Sequence, residues 1–316
     1  MKKISLIGAG NIGGTLASII AEKNLCDEIF LVDIAEGLAQ GKALDLSQGS
    51  AINGSSTKYF GTSDLSHIDN SEVIIVTAGI ARRPGMTRDD LIEINLKVMK
   101  DVGFAIKNYS PKAFVICVTN PLDAMVWTLK KVSGLKKQMI VGMAGTLDSS
   151  RFRFFLSETL QISEKYIQTM VLGGHGDTMV PLLKYTTVSG IPLLELITKN
   201  LISKAKVDEI VQRTRNGGGE IVKLLKNSSA FYAPAISTVE IAESFLKNEK
   251  KLIPCSSYLE GEYNVKDLFV GVPVIIGKNG VERIVELDFD IEEKNNFNFS
   301  VKSVEELTKK CKKLLE

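Results

Sequence analysis

Only two histidines occur in the 316 residues, His67 and His175. Imidazole is the one side chain whose ordinary pKa lets it take and return a proton near neutrality. His67 lies in Asp64-Leu65-Ser66-His67-Ile68-Asp69, a polar connector with no reactive neighbour. His175 lies in Val171-Leu172-Gly173-Gly174-His175-Gly176-Asp177, where glycines let backbone and ligand come close to the ring. His175 is therefore the candidate general acid–base, although a hydrogen-bonded histidine in a turn would read the same from this stretch alone. Upstream, Asp148 and Arg151 fall three apart in a segment, residues 146–156, that reads as helix. Such a pair shares one face. It is either a local surface ion pair or a set in which Asp148 orients His175 and Arg151 binds a carboxylate beside it. A further group is Ala81-Arg82-Arg83-Pro84-Gly85-Met86-Thr87-Arg88, where Pro-Gly marks a loop. No carboxylate adjoins Arg82 or Arg83. A guanidinium fork matches a carboxylate bidentately, and a loop can close over a ligand. Three arginines on a loop also read as solvated surface.

Something must hold these groups in register. Lys3-Ile4-Ser5-Leu6-Ile7 is an apolar run that stops at Gly8, and Ile12, Leu16, Ile19 and Ile20 then recur at helical spacing. Between strand and helix sits Gly8-Ala9-Gly10-Asn11-Ile12-Gly13. In that setting the first glycine permits a tight turn, the second lets backbone N–H groups approach a pyrophosphate, and the third lets helix and strand pack closely. The helix N-terminus adds partial positive charge. A second run, Ile29-Phe30-Leu31-Val32, ends at Asp33. A carboxylate there accepts hydrogen bonds from the adenosine ribose hydroxyls and repels a 2′-phosphate, which points to NAD rather than NADP. The glycine motif alone is also compatible with a methyltransferase-type fold that takes another adenosine cofactor.

Further apolar runs at 73–77, 114–118 and 139–141 alternate with helical patterns, one of them marked by Leu91, Ile94, Val98, Val102, Ile106 and Tyr109. Alternation of this kind predicts an α/β fold with a Rossmann-type, doubly wound parallel sheet. Ala78-Gly79 and Thr119-Asn120 then fall at the carboxyl ends of strands, along the cofactor cleft, though both also read as turn chemistry. Residues 1–144 are expected to form the dinucleotide-binding domain, and residues 145–316 an α+β substrate and catalytic domain.

Composition narrows the field. The chain is 44% hydrophobic and 24% charged with a net charge of +2, which offers no field for a polyanion and disfavours nucleic acid as a partner. Cys26, Cys117, Cys255 and Cys311 are scattered, so neither a metal site nor a disulfide framework is expected, and a reducing compartment such as the cytoplasm fits. Lys2-Lys3 precedes eighteen uncharged residues, but four glycines and Asn11 within them leave too little apolar surface for an export signal. No apolar run reaches the roughly 18 residues of a membrane helix.

Six motifs, in order and at matching spacing, resemble the lactate/malate dehydrogenase family over nearly the whole chain: 8–13, Asp33, 81–91, 118–124, 147–153 and 173–181. The closer likeness is to its malate branch, the lactate-dehydrogenase-like type. This resemblance implies that His175 takes a hydroxyl proton while hydride leaves the same carbon for NAD, and that Asp148 holds the ring and favours its protonated form. It implies that Arg151 clamps the carboxylate next to the reacting carbon, that Arg88 on a mobile loop polarises the carbonyl oxygen, and that Asn120 holds the substrate oxygen. Gly8, Ala9, Gly10, Asn11, Ile12, Gly13, Asp33, Asn95, Val118, Thr119 and Asn120 are expected to line the cofactor site. Arg82 stands where lactate dehydrogenases have a neutral glutamine, so a second carboxylate, and hence malate and oxaloacetate, is expected. Gly174 stands where the lactate branch has glutamate. A lactate or other 2-hydroxy acid dehydrogenase on the same scaffold, and a non-catalytic dinucleotide sensor, are the alternatives. Relatives assemble as dimers or tetramers, so a homo-oligomer is expected.

The rest of the chain is less telling. Ser229 and Ala230 resemble a segment near the nicotinamide. Gly217-Gly218-Gly219 reads as a helix break near the cleft. Lys278-Asn279-Gly280 between apolar runs predicts a hairpin. Ser303-Val304-Glu305-Glu306 reads as a capping box, followed by an apolar stripe of Val304, Leu307, Cys311 and Leu314 with lysines 309, 310, 312 and 313 as its solvated face.

Overall fold

The computed structural model describes residues 2–81 and 87–316, with the Arg88 side chain also outside the described part. The first half alternates strand and helix: β1 (Lys3–Ile7), α1 (Asn11–Glu22), β2 (Glu28–Val32), α2 (Leu38–Asn53), β3 (Lys58–Thr62), β4 (Val73–Val76), α3 (Arg88–Tyr109), β5 (Phe114–Cys117), α4 (Leu122–Ser133) and β6 (Ile140–Gly142). These six strands are parallel in the order β3-β2-β1-β4-β5-β6. This is the doubly wound order, with its reversal of direction between β1 and β4. β4 and β5 are buried at every position, as expected of central parallel strands covered on both faces.

The second half begins with α5 (Gly145–Leu160). It continues through the short strands β7 (Ile167–Gln168), β8 (Val171–Leu172), β9 (Val180–Pro181), β10 (Thr187–Val188) and β11 (Ile191–Pro192) to α6 (Leu193–Thr198), α7 (Lys204–Leu225) and α8 (Tyr232–Leu246). It closes with β12 (Lys251–Glu260), β13 (Lys266–Gly277), β14 (Gly280–Ile284) and α9 (Ile291–Leu315). The last three strands are antiparallel and join the first sheet where Ser256 pairs with Gly142, giving nine strands in one sheet.

The expected fold class is present, and four local readings need correction. The glycine run 217–219 breaks nothing: α7 passes straight through it. Ser303 caps no helix, because it lies inside α9. The box that starts α9 is Asp290 with Glu293, each side chain bonded to the other's backbone N–H. The buried face of α3 comprises Leu91, Ile92, Asn95, Leu96, Met99, Val102, Ala105 and Ile106, with Val98 packed against the core, so of the expected face only Ile94 and Tyr109 are exposed. Leu314 is likewise exposed, although Val304, Leu307 and Cys311 are buried as the stripe requires. The hairpin forms, with Gly277 paired to Gly280 and Lys278-Asn279 as its turn.

All four cysteines are free and buried, and burial pushes their thiols up to about 11 for Cys311 and about 12 for the others. No described helix is long and apolar enough to cross a membrane.

One ion cluster ties the halves together. Glu243 on α8 accepts hydrogen bonds from Lys23, just past α1, at 2.8 Å and from Lys247 at 2.7 Å. The two lysines hold its carboxyl down at about 2. A depressed folded-state pKa adds stability that is present above the ordinary glutamate range and is lost as pH falls through that range toward about 2. Glu243→Gln should therefore lower unfolding free energy by about 1 kcal/mol at neutral pH. In urea titrations the gap between variant and wild type should close as pH is lowered over that interval.

Candidate active site

The first part of the site is the loop from β1 to α1. Gly8 has φ +105°, and a Cβ there would lie 2.6 Å from Thr77 Oγ1. A Cβ on Gly13 would lie 2.0 Å from the Gly8 oxygen, so strand and helix touch backbone to backbone. Gly10 faces open space, and α1 starts there with no side-chain cap and no acidic residue in its first turn. Uncapped N–H groups beside open space suit an anionic phosphate. Asp33, at the end of β2, accepts from Ala9 N at 2.7 Å and Ala35 N at 2.9 Å, which orients its carboxylate at the loop. These residues fit a dinucleotide. Two partners were not foreseen from the sequence. Lys42 Nζ donates to the Gly10 oxygen at 2.7 Å, and Asn11 Nδ2 donates to Ser228 Oγ at 3.2 Å. Ser228 thus links its segment to the glycine loop.

The second part lies where β4 and β5 end. Asn95 is fully buried. Its Oδ1 accepts from Ile80 N at 2.8 Å, and its Nδ2 donates to Ile80 O at 3.1 Å and to Asn120 O at 2.7 Å. Thr119 Oγ1 donates to Ala78 O at 2.7 Å. Asn95 and Thr119 therefore brace the two strand-end turns against each other, and Val118 is buried beneath them. Asn120 is exposed at the rim.

The third part is the acid–base set. Asp148 in α5 is 1% exposed; its Oδ2 lies 2.8 Å from His175 Nδ1 and its Oδ1 lies 3.4 Å from Arg151 Nη1. Helical spacing brings Asp148 and Arg151 together, and the loop between β8 and β9 delivers His175. With Nδ1 bound to a carboxylate, Nε2 is the atom left for a substrate. Burial by itself pulls the His175 pKa down, but the charge and hydrogen bond of Asp148, joined by the charge of Asp123, hold it above the ordinary range. Burial also lowers the Arg151 pKa, against the opposing charge of Asp148.

Asp123 went unrecognised in the sequence. It is buried in the first turn of α4, accepts from His175 N at 2.9 Å and from Ser256 Oγ at 2.5 Å, and burial pushes its carboxyl up to about 6. The signal available was a lone acid in an apolar helix, Leu122-Asp123-Ala124-Met125-Val126-Trp127. Gly173, at φ +84°, bridges to Gly271, and Gly174 N donates to Ser300 Oγ at 2.8 Å. A Cβ on Gly174 would lie 2.6 Å from Val304, so this position has no room for a side chain. Arg82 lies outside the described residues. Arg88 is the first residue of α3, and its side chain also lies outside them. His67 is half exposed and faces Asp64 at 3.7 Å, remote from chemistry as expected.

Comparison with known proteins agrees with this geometry. Residues 2–142 match the family model for the lactate/malate dehydrogenase NAD binding domain, and residues 145–316 match that for the lactate/malate dehydrogenase alpha/beta C-terminal domain. A malate dehydrogenase from Cryptosporidium parvum is 47% identical with a TM-score of 0.96, covering 99% of each chain. The malate dehydrogenase of Plasmodium falciparum is 43% identical with a TM-score of 0.96 over 100% of both chains. A lactate dehydrogenase from Cryptosporidium parvum, solved with lactic acid and NAD, is 44% identical with a TM-score of 0.95 over 98% of each. With the glycine loop, the aspartate beyond it and the buried acid–base set all in place, the chain belongs to the lactate/malate dehydrogenase family of NAD-binding oxidoreductases.

Proposed function

We propose that this enzyme reversibly oxidises (S)-malate to oxaloacetate with NAD. The hydrogen-bonded set His175–Asp148–Arg151 carries the reading as a 2-hydroxy acid dehydrogenase, and the cation at Arg82 carries the choice of a diacid. When bound, NAD supplies the acceptor for hydride. In the oxidative direction His175 Nε2 takes the hydroxyl proton while the C2–H bond breaks. The Asp148 carboxylate stabilises the imidazolium that results and keeps the proton on Nδ1, so the neutral ring presents a lone pair at Nε2. Arg151 holds the carboxylate on the reacting carbon through paired hydrogen bonds. Arg88 meets charge as it develops on the carbonyl oxygen, and Asn120 holds the same oxygen. Arg82 takes the distal carboxylate, which would be costly to bury unpaired.

In this reading residues 1–144 hold the dinucleotide and residues 145–316 supply the acid–base pair and the first clamp. We also propose a homo-oligomer. Its support is the exposed apolar side chains Leu38, Leu44 and Ile52 on α2 and Tyr232 and Ile236 on α8, which a partner copy would cover.

The second reading, a lactate dehydrogenase, is favoured by the lactate-binding relative and separates at Arg82. Wild type should consume NADH with oxaloacetate far faster than with pyruvate. Arg82→Gln should lose about 2–5 kcal/mol of transition-state stabilisation for oxaloacetate and gain relative activity with pyruvate. An unaltered preference in kcat/KM would remove the diacid reading.

The acid–base role predicts opposite pH profiles. Oxaloacetate reduction needs the His175 proton, so its kcat/KM falls as pH rises through the raised His175 pKa, while malate oxidation climbs over the same interval. Asp148→Asn removes the charge that lifts that pKa. Both profiles should move to lower pH, and kcat should drop on the order of 10²–10⁴-fold. Profiles that stay in place would show that Asp148 does not set the ring's charge.

A further inference from the structure

α7 carries three consecutive glycines, Gly217, Gly218 and Gly219, in the middle of a continuous helix. Glycine is the least favourable residue for a helix interior after proline, and no kink, cap or positive φ at these positions requires it. Two of the three face one side chain. A Cβ on Gly217 would lie 3.2 Å from Arg151 Cδ, 3.6 Å from Nε and 3.9 Å from Cγ. A Cβ on Gly218 would lie 3.7 Å from Arg151 Nη2 and 3.9 Å from Nη1. Around Gly219 nothing lies within 4 Å, and it is exposed. The stem of Arg151 therefore rests on bare backbone at 217, and its guanidinium lies over bare backbone at 218.

Arg151 needs such support. The polar contact found for its guanidinium among the described residues is Asp148 at 3.4 Å, a long one. An arginine has many rotamers, and ordering it is costly in entropy. One long contact sets no orientation, so packing must. A methyl at 217 would fall closer to Cδ than ordinary van der Waals contact, and the arginine would have to give by a few tenths of an ångström.

Resting on the reading of Arg151 as the clamp for the carboxylate beside the reacting carbon, we infer that Gly217 and Gly218 are positioning residues. The side-chain-free face of α7 sets the depth and tilt of the Arg151 guanidinium, and so the fit of the substrate carboxylate. Because misplacement by about 1 Å can cost roughly a hundredfold, a shift of a few tenths should cost on the order of three- to tenfold. Gly218→Ala just fits and should be mild, whereas the branches of Gly218→Val would enter the volume of the guanidinium.

The test is steady-state kinetics with oxaloacetate at saturating NADH, together with NADH titration by fluorescence and thermal unfolding. The variants are Arg151→Lys, Gly217→Ala, Gly218→Ala, Gly218→Val, Gly219→Ala and the double Arg151→Lys/Gly218→Val. Gly217→Ala and Gly218→Val are expected to raise KM about three- to tenfold with a smaller change in kcat and unchanged NADH affinity. Gly219→Ala is expected to raise Tm with wild-type KM. In the lysine background Gly218→Val should add no further rise, because lysine lacks the Nη atoms that face position 218. A wild-type KM in Gly217→Ala, or the same rise from Gly218→Val with and without the Arg151 guanidinium, overturns the inference; if Gly217→Ala fails to fold, Gly218→Val reads the neighbouring contact with the guanidinium. If Arg151→Lys itself leaves KM unchanged, the clamp reading fails instead, whatever the glycine variants do.

Discussion

A carboxylate removed from water must find partners or lose its charge, and two such groups hold one histidine here, one by its ring and one by its backbone. Asp148 meets the ring nitrogen of His175 and, at longer range, the guanidinium of Arg151. Asp123 meets the backbone N–H of the same histidine and the hydroxyl of Ser256. The division of labour follows from what each carboxylate finds. One bonds to the ring, so it sets which nitrogen carries a proton and how readily a second is held. The other bonds to the main chain, so it sets where the ring is delivered. Remove either, and a buried donor or acceptor is left unsatisfied at the centre of the site.

The remaining structure reads as the means of bringing those groups together. α4 begins at the end of a parallel strand and carries Asp123 in its first turn; α5 does the same for Asp148. The loop with His175 is held by contacts from widely separated parts of the chain: Gly271 in β13, Ser256 through Asp123, and Ser300 in α9. Glycines at 173 and 174 let that last helix come so near that any side chain would collide with it. The glycine loop between β1 and α1 is built on the same economy, since Gly8 and Gly13 remove the side chains that would separate strand from helix.

Much of this was legible in the residues, for identifiable reasons. Central strands are buried on both faces, so they appear as uninterrupted apolar runs. The glycine loop has a fixed spacing because its geometry is local. The pairing of Asp148 with Arg151 follows from helical periodicity. What escaped depends on contacts distant in sequence. Asp123 looks like an ordinary acid near a helix start, and only the fold shows that His175 and Ser256 converge on it. Lys42 gave no signal, because its partner is a backbone oxygen. The box read at Ser303 had the right letters, but the apolar pattern of α9 begins earlier, at a better cap, and a helix once started runs through such letters. The glycines of α7 looked like a break because their use lies on another helix. The face of α3 was read correctly at Leu91, Val102 and Ile106, and it went astray only at Ile94 and Tyr109, which are apolar yet exposed.

The antiparallel strands that extend the parallel sheet bear on how the molecule can move. Gly142 and Ser256 share a ladder, so the two halves of the chain are one mechanical body rather than jaws on a hinge. Swinging them apart would tear backbone hydrogen bonds and draw Ser256 away from Asp123. The imidazole and its two acids are thereby held in the same frame as the parallel strands.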